Sequence, residues 1–121
     1  MRHSIGLAIL LTIPILAGCQ SSPYLVAGLH AADTIQTFRV AQTPGCYETD
    51  PITRALIGEK PSTAQVALWS VGVSLAYSYL RSRLSDEWQP RLDWLAIGVK
   101  GWQVAENYRN GIPLTGDVSC K

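Results

Sequence analysis

Charge is scarce in this 121-residue chain: 16% of its residues are Asp, Glu, Lys or Arg, and the formal net charge is +1. A nucleic-acid binder needs a basic face, so that class is excluded, and so is a highly charged disordered tail. Histidine is rarer still, at two residues, and the three cysteines are too few for a zinc-cluster protein. The chain has no G-x-S-x-G nucleophile elbow, no phosphate-cradling glycine loop, no internal repeat and no low-complexity stretch. An enzyme is not expected on these grounds, and no cofactor is called for. The length allows one domain.

What the chain does have begins at its N-terminus. Met1-Arg2-His3-Ser4 is followed by a mostly apolar run from Ile5 to Leu16, interrupted by Pro14, and a small-residue exit at Ala17-Gly18-Cys19. This is the layout of a secretory leader, too short for an ordinary spanning helix of about 20 residues. Leu16-Ala17-Gly18-Cys19 resembles the lipobox of bacterial lipoprotein precursors. The resemblance implies residues 1–18 as a cleaved signal peptide, residues 19–121 as the mature domain, and acylation of Cys19 with diacylglycerol and usually an amide-linked chain such as palmitate. Gln20 stands where inner-membrane lipoproteins commonly carry aspartate, which favours the periplasmic face of an outer membrane. Removing Arg2 with the leader leaves nine basic side chains against nine acidic ones, so the mature chain has no net field to steer an anionic ligand.

With Cys19 lipidated, Cys46 and Cys120 remain. An even pair in an exported protein reads as a disulfide, here tying the C-terminus to the loop after the first helix. The competing reading, two free thiols or one redox-active thiol, lacks a CxxC partner.

No strand pattern is convincing; the expected fold is all-α, a small bundle of three main helices. The first runs from about Tyr24 to Gln42, capped by Ser21-Ser22-Pro23 and stopped by Thr43-Pro44-Gly45; Leu25, Leu29, Ala32, Ile35 and Phe38 recur along it at helical steps. The second runs from about Ser62 to Leu84, and the third from about Trp88 to Arg109, ending at Asn110-Gly111-Ile112-Pro113. A short helix fits between them at Ile52 to Ile57. The second helix has seventeen residues without a charge, from Ala64 to Leu80, and one narrow polar line at Ser70, Ser74 and Ser78. A helix this apolar all round is expected in a core or in a bilayer. The third puts Asp93, Lys100, Gln103 and Asn107 on one side and Leu92, Leu95, Val99 and Trp102 on another. That pattern reads as a surface helix of a bundle, or one at a membrane boundary with Trp88, Trp94 and Trp102 near the headgroups. Gly98 and Gly101 are places where another backbone can come close.

His30, Asp33, Thr34 and Thr37 form a polar stripe on the first helix, and Glu48 and Asp50 precede Pro51 at the start of the short helix. A candidate polar network of His30, Asp33, Thr37, Glu48, Asp50 and Asn107 is the preferred reading. Asp33, if buried, needs a partner such as Thr37, Tyr47, Asn107 or an arginine. The sharper alternative is a metal site on His30, Asp33 and Glu48, and Glu106-Asn107-Tyr108 either joins the cluster or forms a solvated helix end. The run Asp33-Thr34, Thr37, Gly45, Glu48, Asp50-Pro51 and Ile52 resembles a family of small helical membrane proteins of unknown function with a G-x-x-E-x-N-P-type turn, although Asp50 replaces the usual asparagine and a lipoprotein leader precedes the first helix.

Two functions follow as expectations. The first is a membrane-anchored structural or interaction protein of the cell envelope, its partners being lipid through acylated Cys19 and an envelope protein. The second is a compact periplasmic binding or inhibitor module held only by its lipid. A metal-dependent enzyme is a distant third.

Overall fold

The computed structural model describes residues 22–121; the leader, the lipobox and Cys19 lie outside the described residues. Four helices follow in order: α1 Pro23–Gln42, α2 Pro51–Ile57, α3 Thr63–Arg83 and α4 Gln89–Arg109. Each of the first three starts where a short polar side chain captures an orphan backbone donor. Ser22 accepts from Leu25, and Asp50 accepts from Thr53 ahead of Pro51 at the first turn. Ser62 and Gln65 form a reciprocal capping box on α3. The three long helices and the short one lie within a residue or so of the spans expected from sequence, and the described residues contain no strand.

α1 is the middle layer. It runs antiparallel to α3, with Thr34 on Ser70, and parallel to α4, with Asp33 on Lys100 and Gln36 on the Val104 and Ile112 carbonyls. α3 and α4 meet at their connected ends, where Tyr77 and the Arg81 guanidinium both donate to Asp93. The disulfide between Cys46 and Cys120 is formed, as the cysteine count leads one to expect. It sits in a small apolar cluster with Val40 and Ile112, and Val118 packs against it.

The tail reaches Cys46 because α4 stops at Gly111, whose φ of +81° favours glycine. A Cβ at that position would collide with the Ser119 carbonyl, and the Ser119 amide donates to the Gly111 carbonyl. Arg39 holds the same tail by donating to the carbonyls of Leu114 and Gly116. Lys60 closes the other side: its ammonium donates to the Val40, Thr43 and Cys46 carbonyls at 2.6 to 2.9 Å, satisfying acceptors that the end of α1 leaves open.

One of the two settings expected for α3 is excluded here. α3 is not buried in a core: only Val66 and Trp69 are buried on it, while Leu68, Val71, Leu75, Tyr79 and Leu80 are exposed. The reason is geometric, since α1 covers one stripe along its length and α2 and α4 touch it only locally. α4 is likewise turned the opposite way from a surface helix. Asp93, Lys100, Gln103 and Asn107 face inward, and Leu95, Val99 and Trp102 face out. Gly98 and Gly101 have no neighbour within reach of an added Cβ, so nothing within the described bundle uses them for a close approach.

Candidate functional site

The interior is built from two heptad-like stripes in which polar side chains stand where a water-soluble bundle carries leucine. On α1 the buried positions are Val26, His30, Asp33, Gln36, Thr37 and Val40; on α4 they are Asp93, Lys100, Gln103 and Asn107. Because α1 and α4 run parallel, the stripes meet position by position. The Lys100 ammonium lies 2.8 Å from one Asp33 oxygen, and Asn107 donates to the other at 3.3 Å and to Gln36 at 3.2 Å. Gln36 in turn donates to the Val104 and Ile112 carbonyls, so its amide links the helix pair to the C-terminal tail. The Lys100 ammonium also sits 4.7 Å from the Trp69 ring centre, so α3 contributes a cation–π face to the same charge.

His30 joins α1 to α3. Its Nε2 is 2.9 Å from the Ser70 carbonyl, an acceptor, so this nitrogen carries the proton and donates. That leaves Nδ1, which is buried without a partner, as are Arg39 Nε and Gln103 Oε1. Thr37 bonds back to the Asp33 carbonyl within its own helix. Gln103 carries the network outward by donating to Asp50 at 3.1 Å, the same carboxylate that caps α2. Glu48 accepts from the Asp50 amide at 2.9 Å.

The structure therefore brings His30, Asp33 and Asn107 to the axis of the bundle, and places Glu48 and Asp50 at its edge, tied in through Gln103. His30, Asp33 and Glu48 do not converge as ligands: the first bonds Ser70, the second Lys100 and the third the Asp50 backbone. Among the described residues no group of three His, Cys, Asp or Glu side chains is placed to hold a metal ion. Asn107 is buried, whereas its neighbours Glu106 and Tyr108 stay at the surface, Glu106 against Arg109. Sequence reasoning placed Asp93, Lys100, Gln103 and Asn107 on one side of α4, but it did not give Lys100 as the partner of Asp33, Gln103 as that of Asp50, or Asp93 as that of Tyr77 and Arg81, and it missed Gln36 altogether. The available signal was that α1 and α4 each carry polar residues on a seven-residue rhythm.

Burial sets the electrostatics. Desolvation pushes the Asp33 carboxyl above its ordinary value, and the Lys100 charge and hydrogen bond oppose that rise without cancelling it. Desolvation likewise raises Glu48, against hydrogen bonds from the Asp50 and Thr49 backbone. Tyr77 is pushed up to about 12, first by desolvation and then by its bond to Asp93.

A raised carboxyl makes a definite prediction for Glu48. The folded chain holds this proton at pH values where the unfolded chain has released it, so the contribution of Glu48 to stability falls as pH rises from its ordinary 4.5 through its folded value. Glu48→Gln is expected to remove that part of the slope and to melt higher than the parent at neutral pH. Thermal melts of both proteins from pH 4 upward check it; a parent and variant with parallel pH profiles would refute it.

No family model, curated protein or solved structure matches the chain. Its function has to be read from its own surfaces, and these are inverted. Among the described residues, ten buried side chains are polar or charged against six that are hydrophobic, while sixteen large hydrophobic residues are exposed. The fold is held by an internal polar network and presents Leu, Val, Trp and Tyr at its surface.

Proposed function

We propose that the chain is a lipid-anchored protein of the bacterial cell envelope, tethered through acylated Cys19, that acts as a structural or interaction protein by seating its apolar outer face against the membrane. The inverted distribution of polarity carries this reading. Leu68, Val71 and Leu75 on α3 and Leu95, Val99 and Trp102 on α4 keep between 41% and 75% of their surface exposed. Covering a side chain fully contributes about 1.5–3 kcal/mol, so covering these would contribute roughly 1 kcal/mol each. Pro51 and Ile52 extend the α4 face into an apolar cleft of about 500 Å³ with Trp94 and Trp102. No helix among the described residues is long and apolar enough to cross a membrane, so the proposal is a bundle lying at the interface beside its anchor. The Cys46–Cys120 bond supports the envelope as the compartment, since such bonds persist where the surroundings are oxidising.

The test removes the anchor and keeps the face. With the leader and Cys19 replaced by an ordinary cleavable export signal, the oxidised protein is expected to remain with the membrane fraction until detergent releases it. Recovery as a soluble periplasmic monomer would instead make the lipid its only attachment and favour the tethered binding module.

A further inference from the structure

Between the first half of α1 and the second half of α3 lies an open-ended groove of about 310 Å³. Tyr24, Ala27, Val73 and Tyr77 line its sides together with Ser74 and Ser78, and His30 and Lys100 lie along it towards the bundle axis. The last two are engaged with the protein, His30 with Ser70 and Lys100 with Asp33. The groove starts where the helix starts: Pro23 and Tyr24 are among its lining, and Tyr24 is 87% exposed at its rim. Only Gln20 and Ser21 lie between Cys19 and Ser22, the cap of α1, so the two are at most about 11 Å apart in extended chain.

We infer that this groove is the seat of one acyl chain carried by the protein's own Cys19. The inference rests on the lipoprotein reading above and adds to it where the lipid goes. The mouth of the groove opens at the end of the bundle from which the anchor departs. The surface of its walls is mostly apolar, interrupted by Ser74 and Ser78, and suits a run of methylenes better than a charged or strongly polar group. The short tether makes docking intramolecular, with an effective concentration in the millimolar range for a short flexible linker. The seat holds the start of α1 beside the anchor, so the bundle lies at the interface with its long axis fixed relative to Cys19. During passage through water it also covers one chain that would otherwise be exposed.

The experiment uses the full chain, lipidated in a Gram-negative host fed a palmitate analogue with a diazirine along the chain. Irradiation of intact cells, followed by trypsin and mass spectrometry of the monomer, is expected to join the Cys19-bearing peptide 19–39 to peptide 55–81, with the cross-linked atoms between residues 73 and 78. Ala27→Trp fills the groove from an exposed position of α1 and is expected to abolish this cross-link, whereas Leu75→Trp, on the outward side of α3, leaves it unchanged. Cross-links only to phospholipid or to other proteins, on a chain whose mass shows an acylated Cys19, overturn the seat and leave the lipoprotein reading intact. An unacylated mature mass overturns both. Cross-linking that persists in Ala27→Trp overturns the seat as well.

Discussion

Lys100→Met is expected to lower the unfolding free energy by about 3–5 kcal/mol, the cost of stranding one charge of a buried pair. The Lys100 and Asp33 side chains are 10% and 4% exposed, and the variant leaves the carboxylate with Asn107 as its side-chain donor. It also removes the cation over Trp69. The loss has a pH signature. Burial already holds the Asp33 carboxyl above its ordinary 3.8, and without Lys100 nothing as strong opposes the rise. The stranded group can escape its penalty by binding a proton, so the deficit should shrink as pH falls from 7.5 towards 5. Replacing both partners, Asp33→Leu with Lys100→Met, is expected to recover most of the loss, because two desolvated charges vanish together and Asn107 keeps Gln36. Denaturant unfolding of the parent, the single and the double variant at both pH values checks all three statements. A single variant within about 1 kcal/mol of the parent at pH 7.5, the size of an ordinary surface pair, would refute the buried-pair argument.

The contrast between single and double replacement bears on what the polar interior is for. Where helices are flanked by lipid or by other apolar surfaces, burying leucine between them brings little net gain, and packing and interhelical hydrogen bonds decide which faces meet. Asp33–Lys100, Asn107–Gln36 and His30–Ser70 set the register of α1 against its two neighbours at three separate levels. A slide of one turn would leave several of these groups buried and unpaired, which makes the network a device for choosing one arrangement of the bundle.

The ends of the helices were legible in the sequence and their orientation was not, for a physical reason. Ser22, Asp50 and Ser62 announce their helices through local chemistry, in which a side-chain oxygen meets an amide three residues away. The stripe of Asp93, Lys100, Gln103 and Asn107 was equally visible, but periodicity says only that two faces differ. Which face meets water depends on what surrounds the molecule, and a lone lysine on a polar stripe reads by default as solvated. The same ambiguity hid Gln36 and the outward turn of Leu25 and Ile35, both 47% exposed on a helix whose apolar spacing suggested a core face. The Cys46–Cys120 bond was legible because it rests on counting, not on surroundings. Glu48 and Asp50 were legible in part: the cap at Asp50 is local, whereas its tie to Gln103 spans 53 residues and follows only from the fold.

Removing the disulfide, by reduction or by Cys46→Ala with Cys120→Ala, is expected to cost about 4 kcal/mol from the chain entropy of so long a loop. The bond spans 74 residues and encloses α2, α3 and α4, leaving α1 outside the closed loop. In a domain of about 100 residues that loss corresponds to a fall in melting temperature on the order of 20 °C. Helix content at room temperature should nevertheless change little, because the tail has other restraints: Arg39 grips the Leu114 and Gly116 carbonyls, and Gln36 grips Ile112. Circular dichroism melts of oxidised and reduced protein separate the two effects, and coincident melts would show that the bond contributes nothing beyond the contacts already around it. The asymmetry has a consequence for the living protein. On the proposed lipoprotein reading, the chain before export has neither this bond nor apolar surroundings for its outer face, so its stability is expected to be lowest in the reducing cytosol. On that reading, oxidation and the proposed membrane seating would add their stabilisation at the same end of its journey.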